Sequence, residues 1–579
     1  MLKRFPAFLR WLRRQVRSSE LSFLLLAIGV GAAGGLFTVL VGAAARTLQY
    51  VLFGLPPELR LSGAPPLAPL TLLVLPLGGL VLIAFNWAVR ARRRALVDAV
   101  EANALHGGRM SVADSAVIVG QTVLSNGFGA SVGLEAAYAQ LGGLFGSLGA
   151  RLMSLRRPDA RTLVGAGAGS AIAAAFGAPL AGAFYAFEIV IGAYTPSAIA
   201  PVVAASLAGA QVAQRLGVVP YVVSAVPGPA IHTAGYLAYG GLGAACALLG
   251  ILVMRAVAVV ETQTRRVMPG PWRPVLGGLL LVPLAYVSPQ ALSAGHSALH
   301  IDMTEAVPLG FIAMILLVKC AGSIVSLGFG FRGGLFFASL FLGTLVGHLY
   351  AGVLGAIAGH SVLNMGNASL VGMAALAVAV VGGPFTMTML VLEATGNFSL
   401  TGAVLAASLV SSTLVRELFG YSFSTWRLHL RGETITSARD VGWIKTLTAG
   451  RMMRRGPATI EGTATIAELR RRYPLGSTSR VLVLGPTGRY AGIATPAVAF
   501  AEGADETAPV SSICHAADAT LLPDQDITQI MARFDEIGTD ELAVVDADGE
   551  VLGLVTETYV RRRYAEELDK AQRDLFGER

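Results

Sequence analysis

The amino-acid sequence predicts a polytopic α-helical membrane protein over residues 21–436. A soluble α/β region follows at 437–579, and an amphipathic helix precedes both at 1–20. Three observations carry this division. The 579-residue chain is 54% apolar and only 14% charged, where an ordinary soluble domain carries about 25% charge. Apolar stretches long enough to cross about 30 Å of hydrocarbon recur at 21–45, 67–89, 162–213, 240–260 and 307–327. Beyond Arg427 the composition turns polar, beginning with "LRGETITSARDVGW".

Each element follows from its residues. The N-terminal "MLKRFPAFLRWLRRQVR" is basic and amphipathic, and its apolar stretch is too short for a signal peptide. It predicts a helix on the cytoplasmic surface, because cytoplasmic flanks of spans collect Lys and Arg. "RARRR" at 90–94, directly after an apolar run, is a second cytoplasmic marker. The net charge of +8 is therefore assigned to membrane topology, and no nucleic-acid partner is expected. Many Gly and Pro interrupt the apolar runs. In lipid, broken helices survive only where protein or a water-filled cavity satisfies the freed backbone. That favours a transporter or channel over a simple anchor. Cys246, Cys320 and Cys514 form no ligand spacing or disulfide framework. The sequence shows no nucleophile–base arrangement, metal cluster or phosphate loop, so an enzyme, a metal and a cofactor are not expected. The abundance of Ala, Gly and Arg points to a bacterium, hence to its inner membrane.

The membrane region contains a repeat. "SNGFGASVGLEAAYAQLGGLFG" (125–146) aligns without gaps on "SLGFGFRGGLFFASLFLGTLVG" (326–347), with eleven of 22 positions identical. "GAPLAGAFYAFE" (177–188) aligns on "GGPFTMTMLVLE" (382–393). Two halves with Gly-broken helices at matching places predict an inverted repeat around a central site. Helix N-termini carry partial positive charge and unpaired N–H groups, so that site suits an anion. The first half places Glu135 where the second has Phe336. Glu135 is the sole charge between Asp114 and Arg151.

These segments resemble the CLC family of chloride channels and proton/chloride antiporters. "GLEAA" (133–137) is similar to the family motif that carries a gating glutamate, which implies that Glu135 is the gate. "GLFFA" (334–338) keeps the glycine and Phe336 of the second motif but has Ala338 for its proline. The resemblance implies chloride or another small anion as the substrate, with protons as a further substrate if the chain is an antiporter. It also implies a homodimer. The anion is expected on backbone N–H groups around Gly133, Leu134, Ala136, Gly334, Leu335, Phe336 and Phe337, and on the hydroxyl of Ser424. Ser424 stands where the family has a tyrosine, with Tyr421 and Trp426 nearby. The family's serine loop finds "RARRR" in its place. Where family antiporters carry an inner proton-transferring glutamate, this chain has Ile189. The adjacent Glu188 is read as a structural acid like its repeat partner Glu393, or alternatively as a substitute proton carrier. Lys319 either raises the local anion potential or reaches toward an interface.

In the tail, "VLVLGPTGRYAGIAT" (481–495) matches "AVVDADGEVLGLVT" (543–556) in a strand–turn–strand pattern. The pair resembles tandem CBS domains. The ribose-binding Asp of nucleotide-binding CBS domains is replaced by Val498 and Tyr559, which argues against a nucleotide ligand and for a dimerising module. The expected function is a glutamate-gated anion channel in a cell membrane, with N-terminus and tail cytoplasmic. Proton-coupled exchange is one alternative, and a transport-dead sensor acting through the tail is another.

Overall fold

The computed structural model describes residues 5–56, 59–89, 96–218, 231, 233–268, 270–299, 307–429 and 447–576. The basic stretch at 90–94 and the linker at 430–446 lie outside them. The chain separates into two compact units, 1–440 and 441–579.

In the first unit, α1 (Phe5–Ser18) is followed by α2 (Glu20–Phe53), α3 (Val74–Ala88), α4 (Ala99–Leu105) and α5 (Val112–Gly127). Next come α6 (Glu135–Met153), α7 (Arg157–Phe176), α8 (Pro179–Tyr185), a π-helical turn (Ala186–Ile191), α9 (Pro196–Arg215), α10 (Thr233–Val267) and α11 (Arg273–Val287). The second half continues with α12 (Leu309–Gly328), α13 (Phe336–Ala358), α14 (Met365–Val381), α15 (Pro384–Thr395), α16 (Phe398–Leu418) and α17 (Phe423–His429). Seven helices among the described residues are long and apolar enough to cross a membrane. The apolar run at 162–213 is not one span. It breaks at Gly177 and Gly192, both with positive φ, into α7, α8 with its π turn, and α9. Such interruptions deep in the unit are tolerated because neighbouring protein takes up the freed backbone groups.

The repeat is visible as reciprocal contacts. The N–H of Ser131 donates to Ser326 Oγ (2.9 Å), and the N–H of Arg332 donates to Ser125 Oγ (3.0 Å). Ser125 matches Ser326 and Ser131 matches Arg332 in the alignment, so each half performs the same service for the other. Gly133 and Gly334, also matched, pair antiparallel with each other. Equivalent residues pair in this way only across a local two-fold axis, which is what an inverted repeat requires. Close packing repeats as well. A Cβ on Gly142 would collide with the carbonyl of Gly167, and one on Gly343 with the carbonyl of Gly372. α6 lies on α7 and α13 on α14 through these small residues, because glycine lets helix backbones approach within lipid.

The second unit holds two four-stranded sheets. Strands β1 (Arg454–Arg455), β8 (Val551–Thr556), β7 (Glu541–Val545) and β6 (Thr520–Leu521) form one. Strands β2 (Thr459–Glu461), β3 (Val481–Leu484), β4 (Tyr490–Ala494) and β5 (Cys514–His515) form the other. Each contains a parallel pair, β2–β3 or β6–β7, followed by an antiparallel hairpin with a register shift at Val483/Leu484 or Val544/Val545. The matching shifts show two copies of one unit. Each sheet borrows its remaining strand, β1 or β5, from outside its own parallel-pair-and-hairpin unit. Val498 and Tyr559 are exposed.

Candidate functional site

Glu135 is the first residue of α6 and only 4% exposed. It lies where the N-termini of α6 and α13 meet. The N–H of Gly133 donates to the carbonyl of Gly334 (2.9 Å) and the N–H of Gly334 to that of Gly133 (3.2 Å). This corrects the expectation that both glycine amides face an anion, since each is already engaged by the other. Their role is to tie the two helix ends together. Side chains are excluded there: a Cβ on Gly133 would run into the Glu135 carboxylate.

The donors that follow the bridge are the early amides of each helix, from Leu134, Glu135 and Ala136 on α6 and from Leu335, Phe336 and Phe337 on α13. Backbone N–H groups of Glu135 itself and of Phe337 approach the Glu135 carboxylate. Its Oε2 has no hydrogen-bond partner among the described residues. The carboxylate thus lies near amides of both helix ends, which attract negative charge. Aromatic rings enclose it. Phe176 lies 5.2 Å from Phe336 and 6.0 Å from Phe337 between centroids, Tyr185 packs 6.1 Å from Phe336, and His296 stacks on Phe337.

Glu135 lines two cavities. The larger, about 600 Å³, also holds Ser424, Tyr185, Ile189, Leu335 and Phe336. Arg265, Arg266 and Arg332 contribute cations to it, and Asp98 and Glu261 contribute acids. Glu261 is paired with Arg265 at 2.6 Å. The smaller cavity, about 60 Å³, is lined by Arg46, Arg60, Tyr138, Ser293 and His296 among others. The Glu135 side chain therefore stands between two recesses.

Ser424 joins Glu135 in the larger cavity. Tyr421 and Trp426 instead pack together at 5.3 Å and against Phe419. Two residues that sequence reasoning passed over reach the same wall. Tyr185, at the end of α8, brings a phenol. Asp98 caps the short α4, accepting from the N–H of Glu101 at 2.8 Å. Both line the cavity that holds Glu135. A signal for Asp98 was present: an acid directly before "AVEANAL" reads as an N-cap.

Glu188 is used elsewhere. Its carboxylate accepts from the N–H groups of Phe385 (3.1 Å) and Thr386 (2.8 Å) and from Thr386 Oγ1 (2.7 Å), capping α15. Glu393 does the same for α8, accepting from the N–H groups of Leu180 and Ala181, both at 2.8 Å. Lys319 is fully buried and donates to the carbonyls of Ser293 (2.7 Å) and Ala291 (3.4 Å). It braces the loop after α11, which sets aside the alternative that it reaches an interface.

A sequence profile described as voltage gated chloride channel matches residues 77–416, and a CBS domain profile matches 510–566. The putative chloride channel protein ClcB-like of Ralstonia nicotianae is 27% identical over 376 residues, covering 64% of this chain and 88% of that protein. The voltage-gated ClC-type chloride channel ClcB of Escherichia coli is 28% identical over 356 residues, covering 61% and 84%. Among solved structures, a slow cyanobacterial Cl−/H+ antiporter superposes with a TM-score of 0.62 at 21% identity, over 71% of this chain and 97% of that one. A eukaryotic CLC transporter gives 0.61 at 18% identity, over 95% and 98%.

Proposed function

The chain belongs to the voltage-gated chloride channel family, and from that premise we propose that it conducts chloride or a similar small anion across a cell membrane, gated by Glu135. One observation carries the reading. The sole acid of a matched pair of helix ends is buried where those ends meet, between two recesses. When ionised, its carboxylate competes with an anion for the amides of α6 and α13. When protonated it loses that advantage, and an anion displaces it. Flux therefore rises as pH falls.

Passive conduction is the reading we adopt. Ile189 cannot carry a proton, and both carboxylate oxygens of Glu188 accept hydrogen bonds from α15. Asp98 and Tyr185, titratable groups in the cavity of Glu135, favour proton-coupled exchange as a second reading. The basic segments at 1–20 and 90–94 support a cytoplasmic N-terminus, and the family resemblance supports a homodimer and a cytoplasmic tail. The test is purified full-length protein in liposomes, with anion efflux and internal pH followed together. Anion flux without uphill proton movement supports conduction. Sustained proton uptake driven by the chloride gradient supports exchange, and absence of anion flux supports the sensor.

A further inference from the structure

The N-terminal helix takes part in a third cavity, which shares no residue with the two lined by Glu135. Arg13, Arg14 and Arg17 of α1 and Arg156, which precedes α7, line a space of about 490 Å³ together with Ser18 and Ser154. No acid lines it. Glu20 and Asp159, the nearest acids in sequence, are outside the lining. Two of the arginines are fixed in place. Arg13 Nε donates to the carbonyl of Leu152 at 2.8 Å, and Arg17 donates to the carbonyl of Ser154. These carbonyls lie at the C-terminal end of α6, where a helix leaves its last acceptors unpaired. α1 is thereby clamped to the turn between α6 and α7, and the cavity has its shape before any ligand arrives. A guanidinium has five N–H donors, so each anchored arginine keeps further donors for a ligand.

Four cations with no acid among the described lining residues call for an anion. Planar, forked guanidinium groups match the oxygens of a phosphate. The position selects the kind of phosphate. Ser18 borders the cavity, and within the next two turns α2 presents Leu21 and Leu25, 66% and 60% exposed. Trp11 on α1 is 57% exposed. An exposed Trp and a basic cluster at the start of an apolar span mark headgroup depth, where anionic lipids meet cationic pockets.

We propose that this cavity binds the phosphodiester of an anionic phospholipid, whose acyl chains run along the exposed apolar face of α2. The test uses delipidated full-length protein in detergent and native mass spectrometry to count bound ligand. The ligands are phosphatidylglycerol, phosphatidylcholine and inorganic phosphate. Arg14→Gln combined with Arg156→Gln leaves the Arg13 and Arg17 anchors in place, and unchanged elution on gel filtration checks that the variant is folded. The expected result is saturable phosphatidylglycerol binding that falls at least tenfold in the double variant, with no comparable loss for phosphatidylcholine. Equal phosphatidylglycerol binding by variant and wild type would overturn the site. Inorganic phosphate binding as tightly as the lipid, with the same loss in the variant, would overturn the lipid assignment in favour of free phosphate.

Discussion

The two ends that meet at the centre of the membrane unit, Gly133–Glu135 and Gly334–Phe336, are built alike except at one side chain. Their serines exchange hydrogen bonds, their glycines pair, and the acids Glu188 and Glu393 cap each other's half. Then one end carries a carboxylate and the other a phenyl ring. The difference separates two kinds of residue. Contacts that recur in both halves hold the fold, because a two-fold arrangement reuses each solution. The contact found on one side only is where transport chemistry is sought. A single acid at the axis also avoids placing two buried carboxylates close together, which would raise the cost of ionising either.

The comparison can be broken first at its packing. Gly142→Val and Gly343→Val each push a side chain into a neighbouring backbone carbonyl, at a cost of about 3 kcal/mol or more. Both should reduce the yield of folded protein on gel filtration to a similar degree. A tolerated change on one side alone would show that the halves do not pack alike.

Next come the capping acids. Glu188→Gln and Glu393→Gln each weaken a charge-assisted cap, by about 1–3 kcal/mol. Thermal unfolding in detergent should show similar losses for the two, with the pH dependence of flux intact in both. A loss of proton movement in Glu188→Gln alone would make Glu188 a carrier and end the symmetry.

Smaller effects sharpen the asymmetric site. Ser424→Ala should weaken anion binding by one neutral hydrogen bond, about 0.5–1.5 kcal/mol, measured by calorimetry. Complete loss of binding would mean that the hydroxyl matters more than the helix amides. Asp98→Asn keeps the α4 cap, since Asn caps as well as Asp, but removes a negative charge from the larger cavity. Anion flux at neutral pH should rise by a factor on the order of 3. A fall in flux would give Asp98 a positive part in transport.

Much of this was legible in the chain. Glu135 is visible because nothing else between Asp114 and Arg151 is charged, and the repeat is visible because close-packed and broken helices need glycine at fixed places. Glu188 and Glu393 are legible as a pair, since both follow a proline by nine residues. What stayed hidden depends on which backbone meets which. Aligning residues 133 and 334 does not reveal that their amides bond to each other, because pairing across a two-fold axis is a fact of three dimensions. The basic residues at 90–94 stand in the place of the family's serine loop, and no motif there marks Asp98 a few residues later. Tyr185 is one aromatic among many in an apolar run, and only the fold places it in the cavity of Glu135. Lys319 left two readings open in the sequence, because its carbonyl partners, Ala291 and Ser293, are set by the fold.

The account rests on Glu135 as the plug, and one measurement tests it directly. Anion efflux from liposomes is recorded for wild type and Glu135→Gln from acid to neutral pH. Gln carries no charge at any of these values and cannot compete as an anion. The account predicts that wild-type flux falls as pH rises, while the variant stays near the wild type's acid level throughout. A variant that keeps the wild-type pH dependence would contradict it, whatever its absolute rate.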